Sequence, residues 1–367
     1  MNTDIFSERR SRAQTLMRKD GIDLLVIGPS ASFRYFVGCN ALSTMRFVAF
    51  LLTAKGGAAI LTPQIQEQIY ASHNIPLIIW DDTQSPYQAM DEIVKTNGVK
   101  NIAVNDELWS AFFLGIRDQF PKATMMSGQT VAGRLRVQKD QSELKLLRAA
   151  SERIDAVWDE FRKTTTRLSG QTELAVRSHI ASLMKKQGFE EVAWVDIGAG
   201  PNGASPLHSG SEYVIQLGDP VVMDFAGTYQ GYFADICRVA VAGKPSAEYL
   251  KIYDICLEAQ EAAFRAIKPG VPCQEIDRAG RKIISAHGFG KEFIHRLGHG
   301  LGLAGHEPPY IIEGNMQRLE VGMVFSDEPG IYIPNRWGVR IEDIIIVTPD
   351  GGERINHTTR ELIQFAA

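Results

Sequence analysis

The feature that most limits what this chain can fold into is an arrangement that occurs twice in its second half. A long helical pattern over 141–163 leads to a shorter one over 171–187 that ends at Gly188-Phe189. The same order returns over 247–267 and 274–287, ending at Gly288-Phe289. Each helix pair precedes apolar, strand-like runs with a carboxylate six residues after a glycine: Gly218 then Asp224, and Gly322 then Glu328. A second acid follows each, Asp235 before Ile236 and Glu342 before Ile344-Ile345. Self-similarity of this kind is the first thing to read in a sequence, because it decides the architecture. Two half-domains that deliver acids from equivalent strands predict a pseudo-twofold, barrel-like sheet flanked by helices, with all four acids in one place.

The first part of the chain has a different rhythm. Short apolar runs at 23–27, 47–53, 58–61, 76–80 and 101–104 are bounded by Gly, Pro, Asp or Asn and read as buried strands. Polar stretches with helical spacing, such as 6–19 and 86–97, lie between them. This predicts a small α/β domain over 1–135 and a second domain over 136–367, in keeping with about 150 residues per domain. Asp140 can cap the helix that opens the second domain, in which Leu144, Leu147, Ala150, Ile154, Val157 and Phe161 recur at helical steps.

Composition excludes several function classes. Lys and Arg number 39 against 43 Asp and Glu, a net charge of −4, and nucleic-acid binding wants a basic stripe instead. The best apolar run, 47–61, is cut by Lys55, Gly56 and Gly57, short of a membrane span. Residues 1–12 are polar and lack the apolar core of a signal peptide. The four cysteines form no Cys-x-x-Cys pair, so neither a thiolate zinc site nor a disulfide framework is expected. A cytoplasmic enzyme is the expectation.

Acids on strands that otherwise read as buried need a partner, because an unpaired buried carboxylate is costly. Arg238 and Arg340 could neutralise two of them, but four acids and a histidine exceed the nearby basic residues. Two divalent cations balance four carboxylates, and oxygen ligands with one imidazole suit Mn, Co, Zn or Fe. The histidine candidate is His299, since His295, His299 and His306 fall within twelve residues among Gly298, Gly300 and Gly302. The segment Gly300-Leu-Gly302-Leu-Ala-Gly305 fits a dinucleotide-binding pattern, but that pattern must open a helix, and Pro308 and Pro309 prevent one.

The motifs that carry these residues are Val222-Met-Asp224-Phe, Gly231-Tyr-Phe-Ala-Asp235-Ile, Gly298-His299-Gly-Leu-Gly, Asp327-Glu328-Pro-Gly-Ile-Tyr and Val339-Arg-Ile-Glu342-Asp. With gaps of 11, 64, 29 and 14 residues, the set resembles the pita-bread metallopeptidases over nearly the whole chain, in particular the aminopeptidase P and prolidase branch. The resemblance implies an α+β protein, a creatinase-like N-terminal domain followed by a pseudo-twofold pita-bread catalytic domain. It implies a dinuclear site with Asp224, Asp235, His299, Glu328 and Glu342 as ligands, Asp235 and Glu342 bridging. A metal-bridging hydroxide would attack the amide, Glu328 would shuttle the proton, and His306 would bind substrate and steady the tetrahedral intermediate. Arg340 would anchor Glu342 or a substrate carboxylate. The segment Arg34-Tyr35-Phe36-Val37-Gly38 is similar to the family's Tyr-x-x-Gly turn. In family dimers this domain can wall off the partner's site; Trp80, Asp81 and Asp82 read here as a strand-end turn. The implied protein is a homodimeric Xaa-Pro dipeptidase or aminopeptidase acting on small peptides.

The chain departs from the family pattern in its substrate pocket. The substrate-binding histidine usually found directly after a proline is replaced by Leu207, leaving His208 as the catalytic candidate one residue later. Ala226 stands where a glycine is usual and Cys237 where a threonine is usual. These changes keep two alternatives open: a non-peptidase member of the fold acting on another C–N bond or a small osmolyte, and a catalytically silent binding module.

Overall fold

The computed structural model describes residues 3–94 and 98–367, which form two compact units, 1–136 and 137–367. The first unit is built on a six-stranded sheet of β1 (Leu24–Ile27), β2 (Ala49–Thr53), β3 (Ala58–Pro63), β4 (Leu77–Trp80), β5 (Asn101–Val104) and β6 (Thr124–Ser127). Its order is β4-β3-β2-β1-β5-β6. The β1-β2 and β2-β3 pairs are antiparallel and the others parallel. Helices α1 (Thr3–Asp20), α2 (Ala31–Val37), α3 (Glu67–Tyr70), α4 (Pro86–Ala89), α5 (Ser110–Gln119) and α6 (Ala132–Arg136) complete the unit.

The five runs read as strands are strands, and their apolar residues fill one core with Trp80, Met90, Ile116 and Phe120. Two expectations differ. The helix expected over 86–97 is only one turn, α4, continued by a 3-10 turn at Met90–Glu92, and residues 95–97 lie outside the described residues. Strand β6, Thr-Met-Met-Ser, carries no apolar run to mark it. The Arg34-to-Gly38 segment ends α2 on a left-handed glycine, Gly38 at φ 97°, as a helix C-terminus favours. Asp81 accepts hydrogen bonds from Thr83 and Asp82 pairs with Arg46, closing the turn after β4.

In the second unit, α7 (Gln141–Thr164) and α8 (Glu173–Lys186) cover the sheet β17-β9-β8-β7. Its strands are β7 (Glu191–Ala199), β8 (Pro220–Tyr229), β9 (Tyr232–Ala242) and β17 (Ile363–Phe365). Asp140 closes a full capping box with Glu143, and the predicted apolar stripe of α7 is buried. Helices α9 (Ala247–Ala266) and α10 (Cys273–Ala286) cover the other half. That half is the sheet β11-β10-β12-β15-β16, with β10 (Gly298–Gly300), β11 (Glu307–Ile311), β12 (Val324–Asp327), β15 (Asp343–Thr348) and β16 (Gly351–Arg354). The hairpin β13 (Gly330–Ile333) and β14 (Trp337–Arg340) stands beside it.

The internal repeat is visible in backbone geometry. Gly170 and Gly270 are left-handed at φ 84° and 87°, Gly188 and Gly288 at 85° and 89°, and Gly218 and Gly322 at 93° and 90°. The N-terminus of each second helix is held by an equivalent bridge, Thr172 to Val214 and Pro272 to Arg318. The halves are joined where the Glu342 N–H donates to the Cys237 carbonyl at 3.2 Å, and by Arg238, which donates to the Glu342 carbonyl and pairs with Asp343 at 2.6 Å. No helix among the described residues is long and apolar enough to cross a membrane.

Candidate metal centre

Strand register brings the first two acids together. Asp224 on β8 faces Cys237 on β9, and Ala226 faces Asp235, so Asp224 and Asp235 are diagonal neighbours on one sheet face. The second half supplies Glu328 just after β12 and Glu342 just before β15, the latter tied to Cys237 by the joining bridge. His299 lies at the centre of β10, a strand squeezed between β11 and β12. A Cβ on Gly298 would run into the Ser326 carbonyl and one on Gly300 into the Pro308 carbonyl, so only glycine on either side lets the histidine sit there.

These residues line one cavity of about 810 Å³, with Asp224, Asp235, His299, His306, Glu328, Arg340 and Glu342 all in its wall. One ligand atom each from the buried Asp235, His299 and Glu342 lie within 4.8 Å of one another. Asp235 Oδ1 and Glu342 Oε1 are buried without any hydrogen-bond partner. Burial, and then the charges of Asp224 and Glu328, push Asp235 far above the usual carboxylate range. Burial, and then Asp235, do the same to Glu342. Like-charged carboxylates crowded around orphaned oxygens are what a cation relieves.

The histidines are oriented by the backbone. His299 Nδ1 lies 3.1 Å from the Gly300 carbonyl, which can only accept, so the proton sits on Nδ1 and Nε2 is free to ligate. That Nε2 is 3.1 Å from Glu328 Oε1, which also accepts from Ser326 Oγ at 2.9 Å. Two facing lone-pair atoms need a cation or proton between them. Burial raises Glu328, but with a proton on Nε2 the hydrogen bond and charge of His299, together with His295 and Arg340, outweigh it and hold the carboxyl below its usual range; with Nε2 bare, a cation must take the proton's place. The donor set thus fits divalent cations: oxygen-rich, one imidazole, orphaned oxygens in the wall.

His306 stacks on His299 with centroids 3.9 Å apart and also meets Trp194. Partial desolvation first, and the His299 ring second, push it down to about 4, while the ring stays exposed to the cavity.

Two placements differ from the sequence expectation. Arg340 does not reach Glu342; its Nε and Nη2 both donate to Asp224 Oδ2, at 3.0 and 2.6 Å, while Trp194 Nε1 donates to Oδ1 at 2.8 Å. Strand β14, which ends at Arg340, is in contact with β8, which carries Asp224. His208 does not line the cavity; its Nε2 lies 2.8 Å from Glu173, a fully buried carboxylate that also accepts from Ala199, Asn202 and Ser211. That acid gathers the 199–211 loop, and His208 is one of its clasps. Leu207 lines the cavity mouth and is 85% exposed. Gly300 is followed by an irregular turn and β11, so no helix opens there and the dinucleotide pattern carries no site.

Four lining or supporting residues were given no role by the sequence. Trp194 and Asp196 alternate on β7, and a period-two reading of 191–199 would have placed them on one face. His295 and Tyr332 complete a chain: His295 Nδ1 donates to the Arg296 carbonyl, Tyr332 Oη donates to His295 Nε2 at 2.9 Å, and Arg340 Nη1 donates to Tyr332 at 2.7 Å.

Comparison with known proteins agrees with this geometry. The family model described as metallopeptidase family M24 matches residues 145–349, and that of the creatinase/prolidase N-terminal domain matches residues 9–138. The chain belongs to metallopeptidase family M24. A relative from Mycobacterium bovis named "Probable dipeptidase PepE" is 36% identical over 99% of this chain and 97% of its own length. The Xaa-Pro dipeptidase of Pyrococcus horikoshii is 33% identical over 98% of this chain and 100% of its own. Among solved structures, dipeptidase PepE from Mycobacterium ulcerans superposes with a TM-score of 0.94 at 34% identity, covering 100% of both chains. Prolidase from Thermococcus sibiricus gives 0.93 at 34% identity over 99% of both. This M24 member is therefore a metal-dependent peptidase with a creatinase-type N-terminal domain, and the α+β architecture expected from the sequence is the one it has.

Proposed function

We propose that this metallopeptidase is an Xaa-Pro dipeptidase or aminopeptidase whose site holds two divalent cations on Asp224, Asp235, His299, Glu328 and Glu342. The observation that carries the reading is the pair of orphaned, buried oxygens of Asp235 and Glu342 beside His299. Relatives named Xaa-Pro dipeptidase over nearly their full length support the substrate class. Mn, Co, Zn and Fe all suit the donor set. The cations, when bound, would lower the pKa of a shared water and polarise the scissile carbonyl.

The chain's own residues do the rest. Glu328, held by Ser326 and facing His299, takes the proton from the attacking water and passes it to the leaving nitrogen. His306 presents its ring to the cavity and steadies the developing oxyanion. Arg340 and Trp194 fix both oxygens of Asp224, so the carboxylate is aimed before substrate arrives. A proline nitrogen in the substrate carries no N–H, so pocket shape must recognise it. The apolar mouth at Leu207, Ile294 and Ile312 offers such a surface.

A homodimer in the cytoplasm completes the proposal, and light scattering on the purified protein tests the dimer. Leu207 favours a second reading, a related amide in place of the Xaa-Pro bond. Metal-replete protein assayed on Xaa-Pro dipeptides, longer Xaa-Pro peptides and non-proline dipeptides separates the two. Cleavage confined to Xaa-Pro bonds is expected; no cleavage of any Xaa-Pro peptide contradicts the first reading.

A further inference from the structure

The catalytic unit holds a second cavity, of about 470 Å³, that the proposed chemistry does not use. Its wall includes Arg354 at the end of β16 and His357, Thr359, Arg360 and Glu361 on the chain that leads to β17. Two guanidinium groups meet there over the same oxygens. Glu261 Oε1 on α9 accepts from Arg360 Nη1 and lies 2.9 Å from Arg354 Nη2. Asp343 Oδ2 lies 3.6 Å from the Nε of each arginine, while its Oδ1 is taken by Arg238. Arg354 Nε and Nη2 are buried without a hydrogen-bond partner, and the guanidinium is stacked 3.7 Å over Phe264. Burial, and then the Arg360 charge, push Arg354 below the ordinary guanidinium value. Two other acids stand near. Both oxygens of Asp327 are buried and hydrogen-bond to nothing, and Glu361 is exposed at the rim, where solvent screens it.

This arrangement is the candidate metal centre with the sign reversed: donors left over, like charges crowded, and a space beside them. An ion of opposite charge relieves it. We propose that this cavity binds a small oxyanion, a phosphate or a carboxylate, between Arg354 and Arg360. A guanidinium fork meets such an ion two oxygens at a time. Thr359 Oγ1 accepts from the Glu361 N–H, which leaves its own O–H to donate, and the exposed His357 ring stands at the entrance. The site is independent of the substrate reading, since none of its residues belongs to the candidate centre. It lies close behind that centre along the chain, because Asp343 follows Glu342 and Arg238 holds the Asp343 carboxylate and the Glu342 carbonyl together.

The test titrates inorganic phosphate and, separately, acetate into metal-loaded protein by calorimetry at constant ionic strength. Four chains are compared: wild type, Arg354→Lys, which keeps the charge and loses the fork, Arg360→Gln, and Asp235→Asn. Bound metal also attracts phosphate, and Asp235→Asn, which weakens the metal centre, separates the two sites. The expected result is saturable binding with a dissociation constant of about 1 mM or tighter in the wild type. Binding should stay within about twofold in Asp235→Asn and weaken about tenfold in each arginine variant, the size of one charge-assisted contact. Phosphate bound far more tightly than acetate identifies a phosphoryl group as the ligand; similar strengths identify a carboxylate as sufficient. Hydrogen exchange on the wild type gives a readout that needs no variant: 20 mM phosphate or acetate, about twenty times that constant, should slow the amides of 356–361. No saturable binding of either anion, binding unchanged in both arginine variants, or no slowing over 356–361 with either anion overturns the proposal.

Discussion

Asp224 and Asp235 are neighbours on one sheet face, yet they live in different electrostatic settings. Arg340 and Trp194 take both oxygens of Asp224, whereas Asp235 has a buried oxygen with nothing to accept from. Glu328 lies on the His299 side, its Oε1 3.1 Å from the ring Nε2. Glu328→Gln keeps the shape and removes the proton acceptor, so kcat should fall by about a hundredfold or more in a peptide-cleavage assay. His208 has a different role. Removing it deprives buried Glu173 of one partner while five other contacts from Ala199, Asn202 and Ser211 remain. His208→Ala should therefore cost about 1–2 kcal/mol in urea unfolding and leave kcat within a few-fold. Site acids were legible in the sequence because carboxylates interrupting apolar strands are conspicuous. The role of His208 was not, because Glu173 lies 35 residues away and meets it only in the fold.

At the scale of elements, the repeat was legible because helix lengths and left-handed glycines recur, and both are local properties of the chain. Strand β6 was not, since Thr-Met-Met-Ser lacks a run of apolar residues and owes its place to pairing with β5. The helix expected over 86–97 shortened because α4 gives way to a 3-10 turn at Met90. The two equivalent glycines before the acid-bearing strands give a paired prediction. A Cβ on Gly218 meets nothing within 4 Å, so Gly218→Ala carries only the left-handed backbone cost, about 1–2 kcal/mol. A Cβ on Gly322 meets the Lys139 carbonyl at 2.9 Å, so Gly322→Ala should destabilise distinctly more. Urea midpoints of the two variants check the order; equal losses would show that the second half yields around the methyl.

At the scale of the catalytic unit, two cores, one under each helix pair, hold opposite halves of the acid cluster in register. The buried pair Lys139–Glu307, 2.8 Å apart with both side chains 5% exposed or less, ties the start of this unit to the residue after His306. Lys139→Met leaves a buried carboxylate short of its cation and should cost about 3–5 kcal/mol by denaturant unfolding. The same logic applies to the centre itself: crowded carboxylates make the fold tighter with cations than without them, so a chelator should lower the melting temperature and a divalent ion restore it. The most direct measurement is elemental analysis of metal-replete protein and of its Asp235→Asn and Glu342→Gln variants, with peptide cleavage measured on the same samples. The account predicts about two divalent ions per wild-type chain, fewer in either variant, and activity that tracks the metal. Wild-type protein that cleaves peptide at full rate with no bound divalent ion would contradict it.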